Sequence, residues 1–389
     1  MGRSRKVVAK KAKIDEIQTL RGLAFLAVVL QHAIGHYAYV PEAGLADGTL
    51  LGVWLILAKF AVPMFIFITG LVLFYNYPDG VPYGPFLLKR FKDIVLPYLL
   101  WSLIYAFFFG GIQTINGSNV LQILHDWATG KASYHLWYVV MVIQLYVCFP
   151  FVQKIVQRVY RALNHNPGVL RFGFILLCVG YVWLTGQIGE ISRWAEELHV
   201  PLLTPLFTEY ADRNAFYFFI YFLLGAAAGL NFQQWKQRLW NGRYGWIGLY
   251  AIVSSILMYR IVASFGEPVH IQYNATLLLQ PFMAVFLLVS VLAVGVIAIA
   301  FHQKAGSKPI AWMAFIGQYS YGAYLAHAFM LTFSTAAADW LLPDSNMTLR
   351  TAVAFVLCSL LSLILAKLLG RFRIGRLLTG APAPRKANA

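Results

Sequence analysis

Stretches of about 20 mostly apolar residues, each long enough to cross a ~30 Å hydrocarbon layer as a helix, recur along almost the whole chain. They fall near 18–38, 52–76, 94–112, 135–153, 172–189, 214–230, 244–265, 273–301, 313–336 and 349–366. Runs this long and continuous exclude a barrel of short alternating strands and leave helices as the spanning element. Composition agrees: charged residues make up 12% of the 389, against about 25% in soluble domains. The expected architecture is an all-α polytopic membrane protein of ten transmembrane helices.

Charge fixes the expected orientation. Of the 31 Lys and Arg residues, 24 fall in the N-terminal tail, the C-terminal tail and every second loop, whereas 11 of the 15 acidic residues lie in the other loops. By the positive-inside rule both termini are cytosolic, which an even number of spans requires. The formal net charge of +16 therefore reads as topology and as contact with anionic lipids at the cytosolic face, with no nucleic-acid partner implied. The expected organisation is a basic tail over 1–17, a membrane domain over 18–370 and a second basic tail over 371–389. The first 17 residues are polar and basic, without the pattern of a cleaved signal, so the expected location is the cell membrane, multi-pass. Cys148, Cys178 and Cys358 sit within spans and lack metal-ligand spacing, so neither a disulfide framework nor a metal is expected.

Ionisable side chains inside spans are costly unless partnered or hydrated, which makes them functional candidates. In "LRGLAFLAVVLQHAIGHY", residues 20–37, Arg21 and His32 are eleven steps apart, within ~20° of three full turns. They share a face and stand ~16 Å apart along the axis. On their own they also fit a snorkelling arginine and a histidine bonded to a neighbouring helix. In "IGQYSYGAYLAHAFM", residues 316–330, Ser320, Tyr324 and His327 follow i, i+4, i+7 spacing and form one polar stripe. His135 opens the fourth span in "YHLWYV", where Trp137 and Tyr138 equally suit an interfacial aromatic belt. Glu209 lies at the outer mouth of the sixth span in "TEYADRNAF", where a solvated loop face is the simpler reading. Lys59 and Arg260, in the outer parts of their spans, read as ion-paired or snorkelling. "FLLKRFKDIVLPY" places Lys89, Arg90 and Lys92 before the third span. Three cations at a helix start suit a phosphate as well as they suit a topology signal.

These segments resemble the signatures of the acyltransferase 3 family of membrane acyltransferases. Arg21 and His32 match its Arg-x10-His pattern. "MFIFITGLVLF" at 64–74 is similar to its second-span "FFxxSGxLL", "KRFKDIVLPY" to its basic stretch ending in Pro-Tyr, "HLWYV" to its His-Leu-Trp-Phe segment, and "GQYSYGAYLAH" to its late "G-x-x-SYxxYLxH". The likeness runs in family order over the whole chain. It departs at Gln18, where an acidic residue is frequent, and at Asp93, where the basic stretch more often carries a second arginine.

The resemblance implies an enzyme moving an acyl group, acetyl or succinyl, from cytosolic acyl-CoA to a hydroxyl of an extracytoplasmic or membrane-associated glycan. The nearest flavour is the stand-alone exopolysaccharide O-acyltransferases. In that scheme Arg21, Lys89, Arg90 and Lys92, with Ser320 and Tyr324, hold the donor. His32 is the general base, assisted by Arg21 and His327, and His135, Trp137 and Glu209 meet the sugar. The competing expectation is an exporter of a glycan or lipid-linked sugar, although no repeated halves of the kind many transporters carry are evident.

Overall fold

The computed structural model describes residues 14–380 except 113, 115, 202, 267 and 268. The basic stretches expected at 1–13 and 381–389 lie outside the described residues. Within them every regular element is helical. In chain order the helices are α1 (Glu16–Tyr37), α2 (Leu45–Ala58), α3 (Ala61–Asn76), α4 (Tyr83–Arg90), α5 (Leu96–Phe108), α6 (Gly117–Thr129), α7 (Trp137–Leu163), α8 (Pro167–Gly186) and α9 (Ile188–Leu198). They continue with α10 (Thr204–Phe207), α11 (Phe219–Leu230), α12 (Phe232–Asn241), α13 (Arg243–Ala263), α14 (Pro281–Lys304), α15 (Ser307–Leu341), α16 (Met347–Leu369) and α17 (Arg373–Thr379). A π-helical turn, Phe91–Val95, joins α4 to α5.

Eight helical segments among the described residues are long and apolar enough to cross a membrane. They coincide with the expected spans except the sixth and the ninth. The sixth becomes the pair Ala215–Leu230 and Phe232–Asn241, bent by 107°, which raises the number to nine if the pair is one span. The ninth lies inside α15, whose 35 residues reach ~52 Å at 1.5 Å per residue. The polar side chains of its middle, Gln318 to Tyr321 and on to His327, dilute its apolar character.

Two span limits differ from the sequence-based expectation, each at a proline. The run 52–76 is interrupted at Lys59 and Phe60, between α2 and α3. Pro63 lacks the N–H that would reach back to the Lys59 carbonyl, and its ring crowds that turn. The carbonyl of Ala58 at this break accepts a hydrogen bond from Gln31 Nε2 of α1 at 2.9 Å. The expected 273–301 span begins only at Pro281, which occupies the first turn of α14, where a missing N–H is harmless.

Bilayer helices associate through small residues that allow close backbone approach, and two such contacts organise the bundle. The sequence G-A-A-A-G at 225–229 places Gly225 and Gly229 on the face of α11 that meets α3. A Cβ at Gly225 would stand 2.0 Å from the Phe67 carbonyl oxygen, and one at Gly70 would stand 2.2 Å from that of Phe222. In the α1–α15 pair a Cβ at Gly317 of α15 would stand 2.0 Å from the Gln18 carbonyl oxygen of α1. Helices α3, α11 and α14 are enclosed over more than half of their residues, while α8 and α13 present most of their surface outward. Residues 373–380, expected as tail, instead fold back as α17, pinned by Trp101 Nε1 donating to the Leu378 carbonyl at 2.9 Å.

Candidate active site

The α1–α15 contact brings two of the candidate histidines face to face. His32 and His327 stack with ring centroids 5.1 Å apart and planes inclined by 28°. His135, just before α7, meets His327 edge-on at 4.5 Å, and the Tyr134 ring lies 4.7 Å from His32. Three imidazoles from three distant parts of the chain therefore form one cluster. His327 and His135 are fully buried, and His32 is partly exposed. His36, one turn beyond His32, faces outward.

Local bonds fix the rings. His327 Nδ1 donates to the Tyr324 carbonyl one turn earlier, which leaves Nε2 as the acceptor nitrogen of a neutral ring. That Nε2 is buried with no partner, as is Nε2 of His135, whose Nδ1 is 3.1 Å from Ser133 Oγ. Buried polar atoms are nearly always bonded, and here two imidazole nitrogens of one cluster are left without a protein partner. Tyr324 O–H donates to the His135 carbonyl and ties α15 to the α7 entrance. Tyr105 of α5 enters the helix ladder beside His327. Its hydroxyl donates to the Leu325 carbonyl at 2.8 Å and accepts from the Phe329 N–H at 3.2 Å. Cys358 of α16 donates its S–H to the His327 carbonyl at 3.3 Å.

Below this cluster lies a cavity of about 310 Å³ lined by Arg21, Arg90, Asp93, Thr69, Tyr138, Tyr146, Ser320, Tyr321, Tyr324 and Gly380, among others. Arg21 and Arg90 supply its two guanidinium groups. Arg90 lies over the Phe86 and Tyr146 rings at 5.1 and 4.9 Å, and its Nε is buried without a partner. Ser320 Oγ is turned to its own helix, donating to the Gly317 carbonyl at 2.9 Å. The histidines do not line this cavity. Tyr324 stands between, lining the cavity while its ring centroid sits 5.5 Å from that of His327 and 5.3 Å from that of His135.

The remaining candidates lie elsewhere. Lys89 pairs with Asp93, Lys92 is exposed, and neither lines the cavity. Trp137 packs its ring against Phe218, 6.0 Å away. Glu209 is a surface residue paired with Lys131. The hydrogen bond from Lys131 holds its carboxyl below the usual carboxylate range. Sequence reasoning passed over Tyr105, Tyr134 and Tyr146, because tyrosine is equally at home in an interfacial belt, and it read Cys358 only as an ordinary span residue. Lys59, read from the sequence as ion-paired or snorkelling, sits at the α2–α3 break and makes no ion pair among the described residues. Among the described residues no group of three His, Cys, Asp or Glu side chains is arranged to hold a metal ion.

With that geometry in place, the family comparison matches residues 14–369 to the acyltransferase 3 family, described as an acyltransferase domain. The chain belongs to the acyltransferase 3 family. It is 24% identical over 374 residues to the Bacillus subtilis (strain 168) protein named "Putative membrane-bound acyltransferase YfiQ", covering 95% of this chain and 94% of that one. No solved structure matches it. This family member is therefore a multi-pass membrane acyltransferase.

Proposed function

We propose that this acyltransferase takes its acyl group, acetyl or succinyl, from cytosolic acyl-CoA and places it on a hydroxyl of an extracytoplasmic or membrane-associated glycan. The observation that carries the reading is the stacked pair His32 and His327 above a cavity holding Arg21 and Arg90. Guanidinium groups suit the phosphates of a nucleotide donor through charge-assisted, forked hydrogen bonds. The ~16 Å between Arg21 and His32 along α1 is comparable to an extended pantetheine arm. The nucleotide can then stay at the cytosolic end while the thioester passes Tyr324.

In this reading neutral His32 accepts the proton of the acceptor hydroxyl as its oxygen attacks the thioester carbonyl. The new C–O bond replaces the C–S bond, and the proton returns from His32 to the departing sulfur, giving free coenzyme A. The unpartnered Nε2 atoms of His327 and His135 suit the acceptor's hydroxyl groups, and Tyr134 walls the His32 side. Arg21 and Arg90 carry the donor grip here, with Lys92 adding long-range attraction from the rim.

The acceptor class is tested by mass spectrometry of the surface polysaccharide from cells with and without the protein. Loss of one ester substituent in the deletion strain, restored by the wild-type chain, is expected. Identical polysaccharide masses in both strains would refute a glycan acceptor.

A further inference from the structure

A second and larger cavity, about 830 Å³, lies away from the histidines between α7, α8 and α11. Val152, Ile155, Phe174, Leu177, Phe219 and Leu223 give it apolar walls. Asn164, Arg171, Asn231, Gln234 and Arg238 gather at one end, where α7 finishes, α8 starts and α11 turns into α12. The charge distribution assigns that end to the cytosol. Along α11 the lining runs from Phe219 to Leu230, eleven steps or ~16 Å. That is about half of a ~30 Å hydrocarbon core, the depth of one leaflet.

Charge decides what fits. No acidic residue lines the cavity, and neither Arg171 nor Arg238 has a carboxylate partner among the described residues. Two unneutralised guanidinium groups at the head of an apolar slot one leaflet deep complement a phosphate on an acyl chain. An ammonium-bearing headgroup would bring a cation to a site that supplies no anion. We propose that this groove is a specific site for an anionic phospholipid of the inner leaflet, its phosphate held by Arg171 and Arg238 and its acyl chain laid along α11.

The site touches the acyltransferase scaffold. Trp235, in the groove wall, packs against Phe67 of α3 with ring centroids 5.5 Å apart, and the same helix supplies Phe65, Ile68 and Thr69 to the arginine-lined cavity. A lipid in the groove braces α11 against a helix of the reaction site.

The test is native mass spectrometry of the full chain released from micelles after titration with phosphatidylglycerol or with phosphatidylcholine of the same chains. The wild type should retain a single phosphatidylglycerol at concentrations at least tenfold below those needed for phosphatidylcholine. Arg171→Gln with Arg238→Gln should abolish that preference, while Arg158→Gln with Arg161→Gln, of equal charge loss on the same side, should keep it. Ala227→Trp, which fills the exposed middle of the groove without altering charge, should displace the bound lipid. Equal retention of both lipids by the wild type would overturn the proposal even if a variant failed to fold, and so would a preference that survives both the double arginine change and Ala227→Trp.

Discussion

At the scale of single residues, the site depends on groups that have given up ordinary partners. Arg90 keeps a buried unpaired Nε over two aromatic rings, whereas Lys89 has already spent its charge on Asp93. Arg90→Gln should therefore raise the apparent KM for the donor about tenfold or more, since a charged hydrogen bond contributes roughly 1.5–3 kcal/mol. Lys89→Gln or Lys92→Gln alone should change it little. Steady-state kinetics at fixed acceptor separate the two outcomes, and a uniform effect of all three changes would return the grip to the rim. Tyr105 makes a different contribution, because its hydroxyl bridges the Leu325 carbonyl and the Phe329 N–H on either side of His327. Tyr105→Phe removes that bridge beside the His327 ring, so kcat should fall while the donor KM stays level. A fall in turnover matched by an equal loss of folded protein in a melting-temperature scan would show that Tyr105 serves only stability. Which residues bear charge was legible in the sequence, but which charge is left over was not. Lys89 and Arg90 are neighbours, and only their partners distinguish them.

Among the helices, function rests on how closely two pairs of backbones approach. Gly317 allows α1 to lie against α15, and the His32–His327 stack is a consequence of that contact. Gly317→Ala should push the helices apart, lower activity several-fold and cost about 1–3 kcal/mol, the usual penalty of overpacking. A melting-temperature scan read beside the turnover rate checks both. Gly225→Ala on the α3–α11 contact should destabilise comparably with a smaller effect on chemistry, since that contact lies away from the histidines. Helix existence was readable from hydrophobic length alone, and the Arg21–His32 alignment followed from 100° per residue. Helix pairing was not. The three histidines come from residues 32, 135 and 327, and nothing in their local spacing says that α1, the entrance of α7 and α15 converge. The glycine pattern at 225–229 carried that kind of information, naming a close contact without its partner. The prolines at 63 and 281 were visible as well, yet a long apolar run hides a break when both halves remain buried.

For the molecule as a whole, charge asymmetry and chemistry describe the same axis. The arginine-lined cavity is lined by Arg90 and Asp93 of the Lys- and Arg-rich stretch before α5 and by Thr379 and Gly380 near the chain's basic end, and the histidines stand apart from it. Both termini should therefore label from the cytosol only. Single-cysteine tags at residues 2 and 388, probed with an impermeant thiol reagent in intact cells and in inverted vesicles, should react in the vesicles alone. Reaction of either tag in intact cells would reverse the axis and with it the donor side. The central claim is that acyl transfer passes over the His32–His327 pair. It is tested most directly by following thiol release from acyl-CoA in proteoliposomes supplied with the acceptor glycan. Wild type should release coenzyme A in step with acceptor esterification, and His32→Ala should lose both by at least a hundredfold while retaining its melting temperature. Undiminished release by a folded His32→Ala protein would contradict the account.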